Sequence, residues 1–94
     1  MTYSAKFSEK AEKSLQKMDK FQAKLIYNWV LNNLDGCKDP RAIGKPLTAN
    51  LQGYWRYKIG SYRLICDIQD NVCRVIVIKA GHRKEVYRNN DNQP

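Results

Sequence analysis

Between residues 54 and 79 the chain reads as three strand-like runs, "YWRYKI", "YRLICDIQ" and "VCRVIVIK", separated by two short joins. Gly60-Ser61 is a Gly-X pair suited to a type II′ turn, and Asp70-Asn71 is a second turn dipeptide, so the runs fold back on one another. Loops this short fix register, and register decides which side chains share a face. A two-residue loop at Gly60-Ser61 sets Ile59 opposite Tyr62, Lys58 opposite Arg63 and Arg56 opposite Ile65. Arg56, Lys58 and Arg63 then lie on one face, with Trp55, Tyr57, Ile59, Tyr62, Leu64 and Cys66 on the other. Carried through Asp70-Asn71, the same register adds Arg74 to the cationic face opposite Asp67. It assigns Cys73, Val75 and Val77 to the apolar face, and Gly81 ends the last strand.

Upstream, "TYSAKFS" alternates Tyr3, Ala5 and Phe7 with Ser4 and Lys6, as a short first strand does. Ser8 is placed to cap a helix carrying Ala11, Leu15 and Met18 at helical spacing. Asp19, with Gln22 three residues on, resembles a capping box for a second helix. That helix sets Phe21, Leu25, Ile26, Trp29 and Val30 on one face and stops at Gly36. Residues 37–52, with Pro40, Gly44 and Pro46, form an irregular crossing segment. The order β-α-α-β-β-β predicts an α+β fold: a twisted, mostly antiparallel sheet with an N-terminal helical hairpin packed on one face. A chain of 94 residues has room for one core, which places a single domain at 1–88. The tail "NNDNQP" at 89–94 has nothing to bury and frays.

Charge narrows the partners. Seventeen Lys and Arg against nine Asp and Glu give a formal +8, a field that favours nucleic acid, an acidic protein or anionic lipid. Residues 1–52 hold eight Lys and one Arg, whereas residues 53–94 hold five Arg and three Lys. Guanidinium binds phosphate in planar, bidentate fashion, so the second half is the better binding surface. Lysines 10, 13, 17, 20 and 24 read most simply as the solvated side of the helices. Cys37, Cys66 and Cys73 have no CxxC spacing, and with one histidine in the chain a metal site has little support. No apolar run is long enough to span a membrane and the N-terminus lacks a signal-peptide pattern, which implies a cytoplasmic protein with idle thiols.

Lys58 directly opposite Arg63 is a like-charge pair that weakens a free sheet. A phosphate between the two reverses the sign of the interaction; charges that merely discourage edge pairing are the structural alternative. In "KAGHRKEVYRNN", Tyr87 offers a ring for stacking on a base, with Arg83 a permanently charged donor beside it and Arg88 next along. His82 is the one side chain whose ordinary pKa lies near neutrality.

"KPLTANLQGYWRYKIGSYRLICDI", followed by "VIKAGHRKEVYR", resembles the RelE family of bacterial toxins within the RelE/ParE superfamily. The likeness runs from Lys45 to Arg88, and the order of the helical hairpin extends it over nearly the whole chain. It implies the toxin of a type II toxin–antitoxin system, acting as a ribosome-dependent mRNA endonuclease. Such a toxin enters the A site of the 30S subunit and cuts the codon there. The mRNA's own 2′-hydroxyl attacks, leaving a 2′,3′-cyclic phosphate and a 5′-hydroxyl, without metal or cofactor. The resemblance further implies a RelB-like cognate antitoxin, through which the complex binds operator DNA. Carried over residue by residue, the family's strand cations fall on Arg56 and Lys58, the arginine of the next strand on Arg63, and the arginine after the Gly-x pair on Arg83. The C-terminal tyrosine falls on Tyr87.

In that chemistry Arg63 clamps the charged phosphorane, Arg83 stabilises the leaving 5′-oxygen, Lys58 accepts the 2′-hydroxyl proton and Tyr87 holds the base splayed. Arg74, Arg88 and His82 supplement substrate binding. Arg56 stands where some family members carry a second lysine, which moves the base to Lys58, with His82 as the other proton-transfer group. Two alternatives share the sequence: a ParE-like inhibitor of DNA gyrase, and a non-catalytic RNA- or ribosome-binding module.

Overall fold

Each helix opens on a side-chain cap. In the computed structural model, which describes residues 1–87, Ser8 Oγ accepts from the Ala11 amide at 3.1 Å and Asp19 accepts from the Gln22 amide at 3.2 Å. Each cap satisfies an amide that has no partner within its helix, typically worth about 1 kcal/mol. The elements are β1 (Ser4–Phe7), α1 (Glu9–Lys17), α2 (Lys20–Asn33), β2 (Lys45–Pro46), β3 (Trp55–Ile59), β4 (Tyr62–Gln69) and β5 (Arg74–His82). Single 3₁₀ turns occupy Ala49–Leu51 and Asp70–Val72. The fold is α+β, as expected, but the sheet has five strands in the order β1-β5-β4-β3-β2. The added strand is the two-residue β2, and β1 pairs with β5 in parallel. No helix among the described residues is long and apolar enough to cross a membrane. The tail 89–94 lies outside the described residues.

One face of the sheet carries the core. Tyr57, Leu64, Cys66, Val75, Val77 and Ala80 meet Ala11, Leu15, Ala23, Ile26, Val30 and Leu34 of the helical layer. Within α2 the inward stripe is Ala23, Ile26 and Val30, with Tyr27 and Trp29 flanking it, rather than one that includes Phe21 and Leu25. Phe21 is 70% exposed and Leu25 43%, whereas Ala23 packs inward. Tyr57 is buried at the centre, with its hydroxyl donating to the Pro40 carbonyl and its ring 5.4 Å from that of Trp29. Truncating such a residue typically costs about 3–5 kcal/mol.

The crossing segment is held by polar contacts. Arg41 donates to Asp70 at 2.9 Å and lies over the Trp55 ring, 5.9 Å from its centroid, and the Tyr3 hydroxyl donates to the same carboxylate at 2.6 Å. The Arg41 and Tyr3 hydrogen bonds hold the Asp70 carboxyl below its ordinary pKa. Gly44 has φ +79, and a Cβ there would overlap the Arg56 carbonyl and come within 2.7 Å of Trp55 Nε1 and 2.8 Å of Tyr57 Cδ1. Only glycine allows that approach, and the Trp55 indole donates to the Ile43 carbonyl at 2.8 Å beside it.

Two features correct the sequence-derived register of β5. The join after β4 is a four-residue turn, 70–73, in which Cys73 takes a left-handed φ of +50. Gln69, not Asp67, stands next to the turn opposite Arg74 as the first pair, and Cys73 leaves the apolar face. Further on, Ile65 pairs with Lys79 but Cys66 with Val77, so Ile78 is a bulge. Strict alternation after Val75 and Val77 would drive Lys79 into the core. The bulge turns Lys79 to the outer face and puts Ala80 inward, and β5 runs through Gly81 to His82 instead of ending at Gly81.

Candidate functional site

The β3–β4 hairpin has the register its loop predicts: Ile59 faces Tyr62, Lys58 faces Arg63 and Arg56 faces Ile65. Gly60 adopts φ +58 at the turn. Arg56, Lys58 and Arg63 therefore share the face turned away from the helices. Directly opposed pairs stand about 5 Å apart at Cα, so the cations are neighbours by backbone geometry alone. The Lys58 ammonium has its pKa lowered, first by Arg56, then by Arg63, with lesser contributions from desolvation and Lys45. Arg63 folds its guanidinium over the turn, donating to the Gly60 carbonyl at 2.8 Å and the Tyr62 carbonyl at 3.0 Å.

The C-terminal segment closes over the same end of the sheet. The Arg83 amide donates to the Ser61 carbonyl at 2.8 Å, tying Arg83 to the turn on which Arg63 rests. Glu85 and Val86 amides both donate to the His82 carbonyl, forming one tight turn. Val86 is buried, and a Cβ on Gly81 would lie 3.7 Å from its own Cβ. Gly81 stands opposite Arg63, so Val86 packs on the cationic face, where Ile65 is also buried. This apolar anchor fixes the backbone between Arg83 and Tyr87, both exposed.

The structure thus brings together Arg56, Lys58, Arg63 and Arg83, with Tyr87 one residue beyond the anchor. Arg74 shares the outer face but pairs with Gln69, three alternations of β4 from Arg63, about 20 Å along the strand. It does not join the cluster. His82 pairs with Tyr62, its ring 5.6 Å from the tyrosine ring in an edge-on contact, which puts it on the helix side of the sheet. Its Nδ1 accepts from the Lys84 amide at 3.2 Å. His82 therefore caps the turn rather than facing Lys58. Arg88 lies outside the described residues. Sequence reasoning passed over Lys45, which stands opposite Arg56 in β2 and adds a further cation beside Arg56 and Lys58. A two-residue strand has no periodicity to reveal it.

A small basic α+β domain with register-fixed cations and a tethered tyrosine is the type of site that grips a polyanion. The family described as ParE toxin of type II toxin-antitoxin system, parDE, matches residues 5–87. Toxin RelG of Mycobacterium tuberculosis is 28% identical over 88 residues, covering 94% of this chain and 99% of that protein. Toxin RelE of the same organism is 29% identical over 92 residues, covering 98% and 93%. In the crystal structure of the toxin–antitoxin complex RelBE2 from M. tuberculosis, the matching chain superposes with a TM-score of 0.80 at 26% identity. The match covers 90% of this chain and 95% of that one. The chain belongs to the ParE toxin family and, within the RelE/ParE superfamily, is a RelE-family toxin of the type II toxin–antitoxin class.

Proposed function

We propose that this toxin is a ribosome-dependent mRNA endonuclease that cuts the A-site codon through the RNA's own 2′-hydroxyl. The observation that carries the reading is Lys58 set directly against Arg63 on an outward face, with Arg83 bonded to the turn between their strands. A like-charge pair held by register destabilises the free protein and is relieved when an anion sits between the two.

In the reaction the 2′-oxygen forms a bond to phosphorus, the P–O5′ bond breaks, and a cyclic phosphate and a 5′-hydroxyl remain. Lys58, its pKa lowered by Arg56 and Arg63, takes the 2′-hydroxyl proton in its neutral form. Arg63 stabilises the added negative charge of the phosphorane, which is greater than that of the ground-state diester. Arg83 stabilises the departing 5′-oxygen electrostatically, and solvent protonates it. Tyr87, 39% exposed, stacks on a base and holds the backbone for in-line attack. The RelBE2 complex supports a matching partner, a cognate antitoxin for this toxin.

Translating ribosomes incubated with the protein, followed by mapping of mRNA ends, test this reading. Codon-positioned cuts ending in cyclic phosphate are expected. Intact message together with gyrase-dependent DNA breaks would replace it by a ParE-like activity.

A further inference from the structure

Beyond the β3 edge lies an open cavity of about 440 Å³, lined by Trp29, Asn33, Ile43, Lys45, Arg56 and Lys58. It exists because β2 is only two residues long and covers β3 at Trp55 and Arg56, leaving the edge beside Lys58 open. We infer that this cavity receives the base of the nucleotide next to the scissile phosphate and contributes to the choice of codon. The inference rests on the reading that the toxin handles RNA.

The lining has the parts a base needs. Trp29 supplies an aromatic wall, its ring steadied at 5.4 Å and 52° against buried Tyr57. Arg56 Nε is buried without a hydrogen-bond partner, the one such side-chain atom found among the described residues, and so is a donor awaiting an acceptor. Asn33 Nδ2 donates to the Trp29 carbonyl at 2.9 Å, which fixes the orientation of its carboxamide. An amide has both donors and an acceptor, so it distinguishes one base edge from another. Lys45, Arg56 and Lys58 rim the opening and suit the sugar-phosphate backbone. The volume falls in the range of small-ligand sites, about 300–1,000 Å³. Strand spacing is about 4.8 Å. A phosphate held between Lys58 and Arg63 therefore has its neighbouring nucleotide within reach of the cavity.

The test titrates the full chain with the four nucleoside 3′-monophosphates while following the Trp29 indole and Asn33 side-chain amide by NMR. Both signals should move to saturation, with affinities that differ among the bases by on the order of tenfold. Asn33→Asp, which exchanges amide donors for acceptors, should reorder the bases, and on ribosomes it should reorder the codons cut. Trp29→Phe retains a ring should Trp29→Ala fail to fold, and should weaken binding of all four.

Equal shifts with inorganic phosphate would overturn the inference, as would signals that respond only to an antitoxin peptide. So would nucleotide-induced shifts confined to Lys58, Arg63 and Arg83. Base-dependent binding at Trp29 and Asn33 without message cleavage would leave the pocket standing and remove the endonuclease reading.

Discussion

Two basic surfaces of this molecule hold their charge in opposite ways. On α1 and α2, lysines 10, 13, 17, 20 and 24 project on long stems from helix surfaces, and Lys13 pairs with Glu9 of its own helix at 3.4 Å with both side chains exposed. On the sheet, Arg56, Lys58 and Arg63 stand where backbone register puts them, crowded enough to lower the pKa of Lys58. On the proposed reading the helical lysines supply at most a field that attracts a polyanion, whereas the sheet cations supply a fixed geometry. Charge that must stabilise a transition state has to be in position beforehand, whereas charge that only attracts does not.

The largest test of this contrast is Arg63→Ala. Cleavage on ribosomes should fall about 10²-fold or more, with ribosome binding reduced far less. Parallel losses of binding and cutting would make Arg63 another attracting charge. Next, Gly44→Ala alters no charge but strains φ and pushes on β3. At least 1–2 kcal/mol of left-handed strain predicts a melting temperature lower by about 5–15 °C. Activity retained at equal stability would show that fixed geometry matters little.

A smaller effect concerns pH. Arg56 is the largest cause of the lowered Lys58 pKa, so Arg56→Gln should raise that pKa. The neutral amine then appears only at higher pH, and the rising limb of the pH–rate profile should shift to the alkaline side. An unmoved limb would exclude Lys58 as the base. Smallest of all, Lys13→Gln with Lys17→Gln should flatten the salt dependence of ribosome binding without changing the cleavage rate of bound complexes. The lost Glu9 pair itself is worth only about 0.3–0.5 kcal/mol.

What the sequence disclosed follows the same division between local and distant causes. The β3–β4 register was legible because a two-residue loop leaves no freedom, and both helix caps were legible because Ser8 and Asp19 act within three residues. The position of His82 was not. It depends on a left-handed Cys73 and a bulge at Ile78, and neither residue type announces such a conformation. Together they slide the partner of Tyr62 from residue 79 to residue 82, and this moves the histidine to the helix side. The edge cavity was hidden for another reason. Trp29, Ile43 and Lys58 lie on three separate segments, which the Trp29–Tyr57 ring contact and the packing of Gly44 against β3 bring together.

The place of β5 in the sheet has a consequence for how the toxin comes into being. β5 is bonded to β1 on one side and to β4 on the other. As the nascent chain leaves its ribosome, β1 waits some seventy residues for its partner, a long-range closure of the kind that delays folding. An interrupted translation product has the hairpin and its charges but lacks Gly81 beneath Val86 and Arg83 on Ser61. Assembly of the site therefore waits until the segment from Gly81 to Val86 has been made and has emerged.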